Sequence, residues 1–112
     1  MIDLKHIRPG TAVLTVNNDA KIAAVGSGLY VKEGTNATMG VATLVGGTAT
    51  VATTKVTASS RIFLSVNGQG VAANLGTVYE DLASRVAGTS FVIKSANVLA
   101  TPTVAWLIVE PA

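Results

Sequence analysis

Two adjacent carboxylates, Glu80 and Asp81, and a single histidine, His6, are the side chains best suited to acid–base work or metal binding. Neither group is arranged for it. Carboxylates that share a proton must face each other, and neighbours on a strand point to opposite sides of a sheet. In a loop the pair could lend oxygens to Ca²⁺ or Mg²⁺, but such sites need several more ligands. Glu80 and Asp81 therefore read as solvated charges. His6 stands next to Lys5 near the N-terminus, and a catalytic or metal-bound imidazole needs partners. With one histidine in a terminal segment, Ser27, Ser59, Ser60, Ser65 and Ser90 have no base for a serine triad. Gly26-Ser27-Gly28 and Gly68-Gln69-Gly70 contain G-x-G. Neither continues into a phosphate-binding fingerprint ahead of a helix, so both read as tight turns. Asn36-Ala37-Thr38 matches the N-glycosylation pattern, which a Thr-rich chain also produces by chance.

The composition points the same way. Of 112 residues, 12% are charged and 49% are hydrophobic, and cysteine is absent. The usual charged share is about 25%. A catalyst gathers titratable groups, nucleophiles or metal ligands, and this chain supplies few. The expectation is a structural protein with no enzymatic activity, cofactor or metal. Without cysteine there is no disulfide framework and no thiolate metal site. A domain of this size hides only about 60–70% of its unfolded surface. A monomer would leave part of the apolar surplus facing water as patches; the simpler solution, and the expectation, is a homo-oligomer with those residues in its interfaces. The net charge is +2, and Lys5, Arg8, Lys21, Lys32, Lys55, Arg61, Arg85 and Lys94 are scattered. No basic block forms, so nucleic acid is not an expected partner. No apolar run approaches the ~18 residues that span a bilayer, and no signal peptide is visible in Met1 to Pro9. No membrane partner is expected.

The elements that would position any site are strands. Residues 1–10 read as an N-terminal arm and 11–112 as a single β domain. In the arm Ile2, Leu4 and Ile7 alternate with charges before Pro9-Gly10 breaks the chain. It either drapes over a neighbour or is a partly ordered terminus. Ala12 to Val16 and Lys21 to Val25 flank a turn at Asn17-Asn18-Asp19 and predict a hairpin, with Leu29 to Lys32 as a third short strand. Val41 to Val45 and Thr48 to Ala52 flank Gly46-Gly47, a two-residue hairpin signal. Thr53 to Thr57 either extends the second strand or bends away. Arg61 to Val66 is a strand with Ile62, Leu64 and Val66 on one face. Thr77 to Val86 is ambiguous: Leu82, Ala83, Arg85 and Val86 could sit on a helical turn, yet the surroundings favour strand. Ser90 to Ser95 and Thr103 to Val109 are strands. The last has apolar residues on both faces: Val104, Trp106 and Ile108 on one, Ala105, Leu107 and Val109 on the other. Both faces must then be covered. Trp106 is either a core residue or an interface anchor. The fold class is all-β: an antiparallel β-sandwich or barrel, of jelly-roll or other connectivity, with a short N-terminal arm.

From Gly40 onward the order and spacing of four blocks carry a resemblance. They are Gly40 to Val51, Val56 to Leu64, Ala87 to Ser95, and Val104 to Pro111. Together they resemble a family of small β-domains in tailed-bacteriophage virion proteins. Its members are capsid decoration (cement) proteins and C-terminal domains of head or tail fibres. The loop 67–80 departs from the pattern, and Thr101-Pro102-Thr103 stands where an acidic residue is expected. The resemblance implies an antiparallel β fold, a trimer, and a structural or binding role. The first expectation is a trimeric decoration protein that clamps the major capsid protein of a phage head. It would be made in the bacterial host cytoplasm and found on the head surface of the virion. Only a short N-terminal region precedes the β domain, and Ile2, Leu4, Ile7 and Arg8 would dock on the shell or a sister subunit. Leu107, Val109 and Trp106 would form the oligomer interface. The alternative is a fibre or baseplate tip that binds the host surface through Tyr30, Tyr79 and the loop 67–74.

Overall fold

Two glycines make the first tight connection. In the computed structural model, which describes residues 15–112, Gly46 and Gly47 have φ of 63° and 75°. Positive φ at both positions is what a two-residue type I′ turn needs. Val45 and Thr48 pair across it, and the Val45 N–H donates to the Thr48 carbonyl at 3.0 Å. The expected long hairpin stops there. The flanking strands, β1 (Met39–Thr43) and β2 (Thr48–Ala52), enter different sheets. Competing partners draw them apart. The Leu44 N–H donates to the Pro102 carbonyl at 2.9 Å and the Gly47 N–H to the Ala100 carbonyl at 3.0 Å. Leu44 is fully buried.

Four more strands follow: β3 (Arg61–Gly68), β4 (Val78–Glu80), β5 (Ser90–Ser95) and β6 (Thr103–Val109). They form two three-stranded antiparallel sheets, ordered β1-β6-β3 and β2-β5-β4. The fold is all-β, a sandwich of these two sheets. Among the described residues it has six strands, against the eight of a jelly roll.

The core lies where inward faces meet. β6 contributes Val104, Trp106 and Ile108, β5 contributes Phe91 and Ile93, and β2 contributes Val51. Leu44 and Val56 complete it. Phe91 and Trp106 meet edge-to-face, with ring centroids 5.3 Å apart and planes at 76°, a favoured aromatic geometry. Gly40 pairs with Trp106 across β1 and β6. The indole lies so close that a Cβ on Gly40 would stand 2.7 Å from its Cζ2. Buried hydroxyls have partners: Thr53 Oγ1 donates to the Ala37 carbonyl at 2.8 Å, and Ser60 Oγ accepts from the Thr57 N–H at 2.8 Å.

Several expected strands are corrected. Between residues 15 and 38 no strand forms, so Lys21 to Val25 and Leu29 to Lys32 are irregular. Residues 15–30 are exposed throughout. β-branched content makes a strand only where a ladder partner and a buried face exist, and here neither is present. Ala12 to Leu14, the arm and the arm's Pro9-Gly10 break lie outside the described residues. The chain divides into units Met1–Tyr30 and Val31–Ala112, and among the described residues every strand lies in the second. Thr53 to Thr57 bends away through a turn at Thr54-Lys55. The two readings of Thr77 to Val86 are both realised in succession, as β4 and a 3₁₀ turn at Leu82–Ser84.

Candidate functional site

The outward face of the β1-β6-β3 sheet is apolar. Register places Met39, Leu107 and Phe63 in one cross-strand row, and Val41, Ala105 and Ser65 in the next. Phe63 is 59% exposed, and Val41 and Val109 are about half exposed. Met39, Phe63, Ala105 and Leu107 line a shallow apolar depression of about 190 Å³. A strand with alternating side chains and a buried inner face necessarily presents its odd members outward. Here Met39, Val41, Phe63, Ala105, Leu107 and Val109 are hydrophobic, while Arg61, Ser65, Thr43 and Thr103 on the same face are polar.

The outward face of the β2-β5-β4 sheet is polar. Thr48, Lys94 and Tyr79 form one row across it. Lys94 Nζ lies 3.0 Å from Asp81 Oδ2, and Asp81 also accepts from Ser84 Oγ at 2.7 Å. The hydrogen bonds from Ser84 and then Lys94 hold the Asp81 carboxyl below its ordinary range. The bond to Asp81 raises Lys94 above its own. Beside this row a groove of about 540 Å³ is bordered by the Gly46-Gly47 turn, Ala96 and Val98.

A clasp joins β4 to the turn that precedes β3. Arg85 donates Nε to Glu80 Oε2 at 2.7 Å and Nη2 to Glu80 Oε1 at 2.5 Å. Its Nη1 donates to the carbonyls of Thr57, Ala58 and Ser60 at 3.0–3.3 Å. The bidentate Glu80 contact first, and its charge after, hold the guanidinium pKa above the ordinary arginine value. The side chains are 8% and 13% exposed. The planar fork thus ties the 57–60 turn to β4.

Glu80, which ends β4, and Asp81, which opens the following 3₁₀ turn, point to different partners. They are not merely solvated, however: each is held in an ion pair. Leu107 and Val109 lie on the apolar outer face, half-buried and exposed respectively. Trp106 takes the core alternative. At 6% exposed it offers little surface to a neighbour. Ile2, Leu4, Ile7, Arg8 and His6 lie outside the described residues. Tyr30 is exposed in the first unit; of the expected loop 67–74, Asn67 and Gly68 end β3, and residues 69–74 form a mostly exposed loop with a 3₁₀ turn at Ala72–Asn74. The Arg85 clasp and the Thr48–Lys94–Tyr79 row were missed in the sequence. Spacing along the chain carries no sign of either, since register creates both. Among the described residues no group of three or more His, Cys, Asp or Glu could hold a metal ion. No described helix is long and apolar enough to cross a membrane.

A search of curated proteins finds no match. A family model does match, over residues 36–109, and it describes the C-terminal domain of K1 capsule-specific polysaccharide lyase. The matched range holds the six strands, the Arg85 clasp and both outward faces. It supports the broad expectation of a phage virion protein, and it does not support capsid decoration in particular. Because the match covers well over half of the chain, the protein belongs to the family of the K1 capsule-specific polysaccharide lyase C-terminal domain.

Proposed function

We propose that this protein is a structural, non-catalytic β module of a phage tail fibre or tailspike directed at capsular polysaccharide. The family match over residues 36–109 is the observation that carries this reading. The fibre alternative fits that family better than head decoration does. The module works by association. The apolar rows around Phe63, Leu107 and Val41 on the β1-β6-β3 sheet support packing against further copies, as a homotrimer. Covering them removes apolar surface from water at about 25 cal/mol per Å². Chains held together in this way also present their polar faces several times over, which raises avidity for a repeating polymer.

Immunogold labelling of purified virions tests the placement. Gold confined to the tail end is expected. Gold scattered over the head would overturn it and return the capsid decoration reading, with the major capsid protein as partner and Ile2, Leu4, Ile7 and Arg8 as the docking arm. Incubation of the purified protein with K1 capsular polysaccharide tests the absence of catalysis. No rise in ultraviolet absorbance from unsaturated sugar ends is expected, and a sustained rise would make the chain a lyase.

A further inference from the structure

Lys94 sits at the centre of the β2-β5-β4 sheet with its side chain outward, because Phe91, Ile93 and Ser95 on the same strand face inward. Thr48 flanks it on one side and Tyr79 on the other. The Gly46-Gly47 turn, Ala96 and the exposed Val98 wall the groove beside them. The volume, about 540 Å³, lies within the range of about 300–1,000 Å³ typical of small-ligand sites.

The groups in and beside the groove suit one chemistry. Tyr79 is 46% exposed and gives an aromatic face with a hydroxyl at its rim. The Lys94 side chain is 42% exposed, and an ammonium has three N–H donors. One goes to Asp81 at 3.0 Å, which leaves two. Asp81 is an acceptor within reach of that same ammonium, and the Thr48 hydroxyl is both donor and acceptor. Paired donors and acceptors a few ångströms apart match vicinal hydroxyls on a sugar ring. The ring's C–H face can lie on the tyrosine. A nucleic acid would call for a track of cations, and the positive charge in this groove is offset by Asp81. A wholly apolar ligand would strip water from the Lys94–Asp81 pair without replacing its hydrogen bonds.

We propose that this groove binds a segment of polysaccharide, with Tyr79 stacking on a sugar ring and Lys94, Asp81 and Thr48 hydrogen-bonding its hydroxyls. The proposal deepens, and rests on, the reading of the chain as part of a capsule-directed fibre. Single-site affinity is weak, and repetition along the polymer and among copies supplies the rest.

The experiment is a titration of the ¹⁵N-labelled full chain, followed by amide chemical shifts. The probes are fragments of K1 capsular polysaccharide and, separately, a neutral glucan of equal length. Saturable shifts centred on Thr48, Tyr79, Lys94 and Ala96 are expected with at least one probe. Tyr79→Ala and Lys94→Met should each raise Kd about tenfold, the loss expected for one aromatic contact and one charge-assisted hydrogen bond respectively. Their amide spectra without ligand should stay dispersed, which separates lost binding from lost folding. No saturable shift with either probe, or shifts centred on Phe63 instead, would overturn the groove. If the gold label also marks the tail, the groove alone is wrong. Gold on the head overturns the fibre reading, and the polysaccharide proposal falls with it.

Discussion

Replacing Gly40 by alanine should destabilise the fold through one side chain. The new Cβ would stand 2.7 Å from Trp106 Cζ2, 3.0 Å from Cε2 and 3.2 Å from Nε1. Contacts that short cannot persist, so the indole or the β1 backbone must move. The indole has little room, since it is 6% exposed and packed edge-on against Phe91 at 5.3 Å. Overpacking of this kind costs about 1–3 kcal/mol. Alanine also reduces the freedom of the unfolded chain, which returns about 0.4–1 kcal/mol. From the middle of each range the net loss is about 1.3 kcal/mol. For a domain of this size each kcal/mol lowers Tm by about 4–8 °C, so a drop of about 5–10 °C is expected. Thermal unfolding followed by circular dichroism and by Trp106 fluorescence measures it. The decisive control is a double-mutant cycle with Trp106→Phe, which removes the atoms that collide. In that background Gly40→Ala should cost nothing or stabilise slightly. An unchanged or raised Tm in the single variant, or the same penalty with and without the indole, would refute the reasoning.

Three further outcomes are expected. Arg85→Met leaves Glu80 and three carbonyls without their donor and should cost about 3–5 kcal/mol in urea unfolding, with Glu80→Gln milder; a loss below 1 kcal/mol would sink the clasp. Phe63→Ser lies on an exposed face and should shift the sedimentation profile toward smaller species while moving stability by less than about 1 kcal/mol; unchanged assembly would clear that face of a role. The pH dependence follows from three groups. Hydrogen bonds from Ser84 and Lys94 lower Asp81, and those from Ser60 and Thr57 lower Glu110. A carboxyl whose folded pKa lies below its unfolded value stabilises above that unfolded value, and the contribution is lost as pH falls through the folded pKa. Lys94 is raised by Asp81, so its contribution is full below its unfolded value and is lost as pH rises through the folded one. Tm should therefore fall below about pH 4 and again above about pH 10. Asp81→Asn combined with Glu110→Gln should flatten the acid limb, and an unaltered limb would show that other groups set it.

Strand identity was legible where alternation and turn chemistry agreed. Ile62 and Leu64, Phe91 and Ile93, and Val104, Trp106 and Ile108 each repeat every second residue, and each set faces inward. Gly46-Gly47 announced its turn by residue type alone. Lys21 to Val25 has comparable composition and forms no strand, because strand formation also needs a partner that local sequence does not name. Thr77 to Val86 looked ambiguous because it holds two short elements of different period.

The all-β class, the strands β3, β5 and β6, the shared faces of Ile62 with Leu64 and of Phe91 with Ile93, and the scarcity of catalytic groups are written in the chain itself. These depend on residues one or two positions apart and on composition, which any reader of the chain can inspect. Tertiary contacts part β1 and β2 into separate sheets, choose the face of β6 that packs Trp106 into the core, and bring Arg85 onto the 57–60 turn. Strand register sets Thr48, Lys94 and Tyr79 in one row. Those arrangements join residues far apart in the chain, such as Thr43 and Thr103, whose hydroxyls meet at 3.3 Å. Register between distant strands is set by the packing of the whole core and by competition for backbone partners, and no local pattern encodes it.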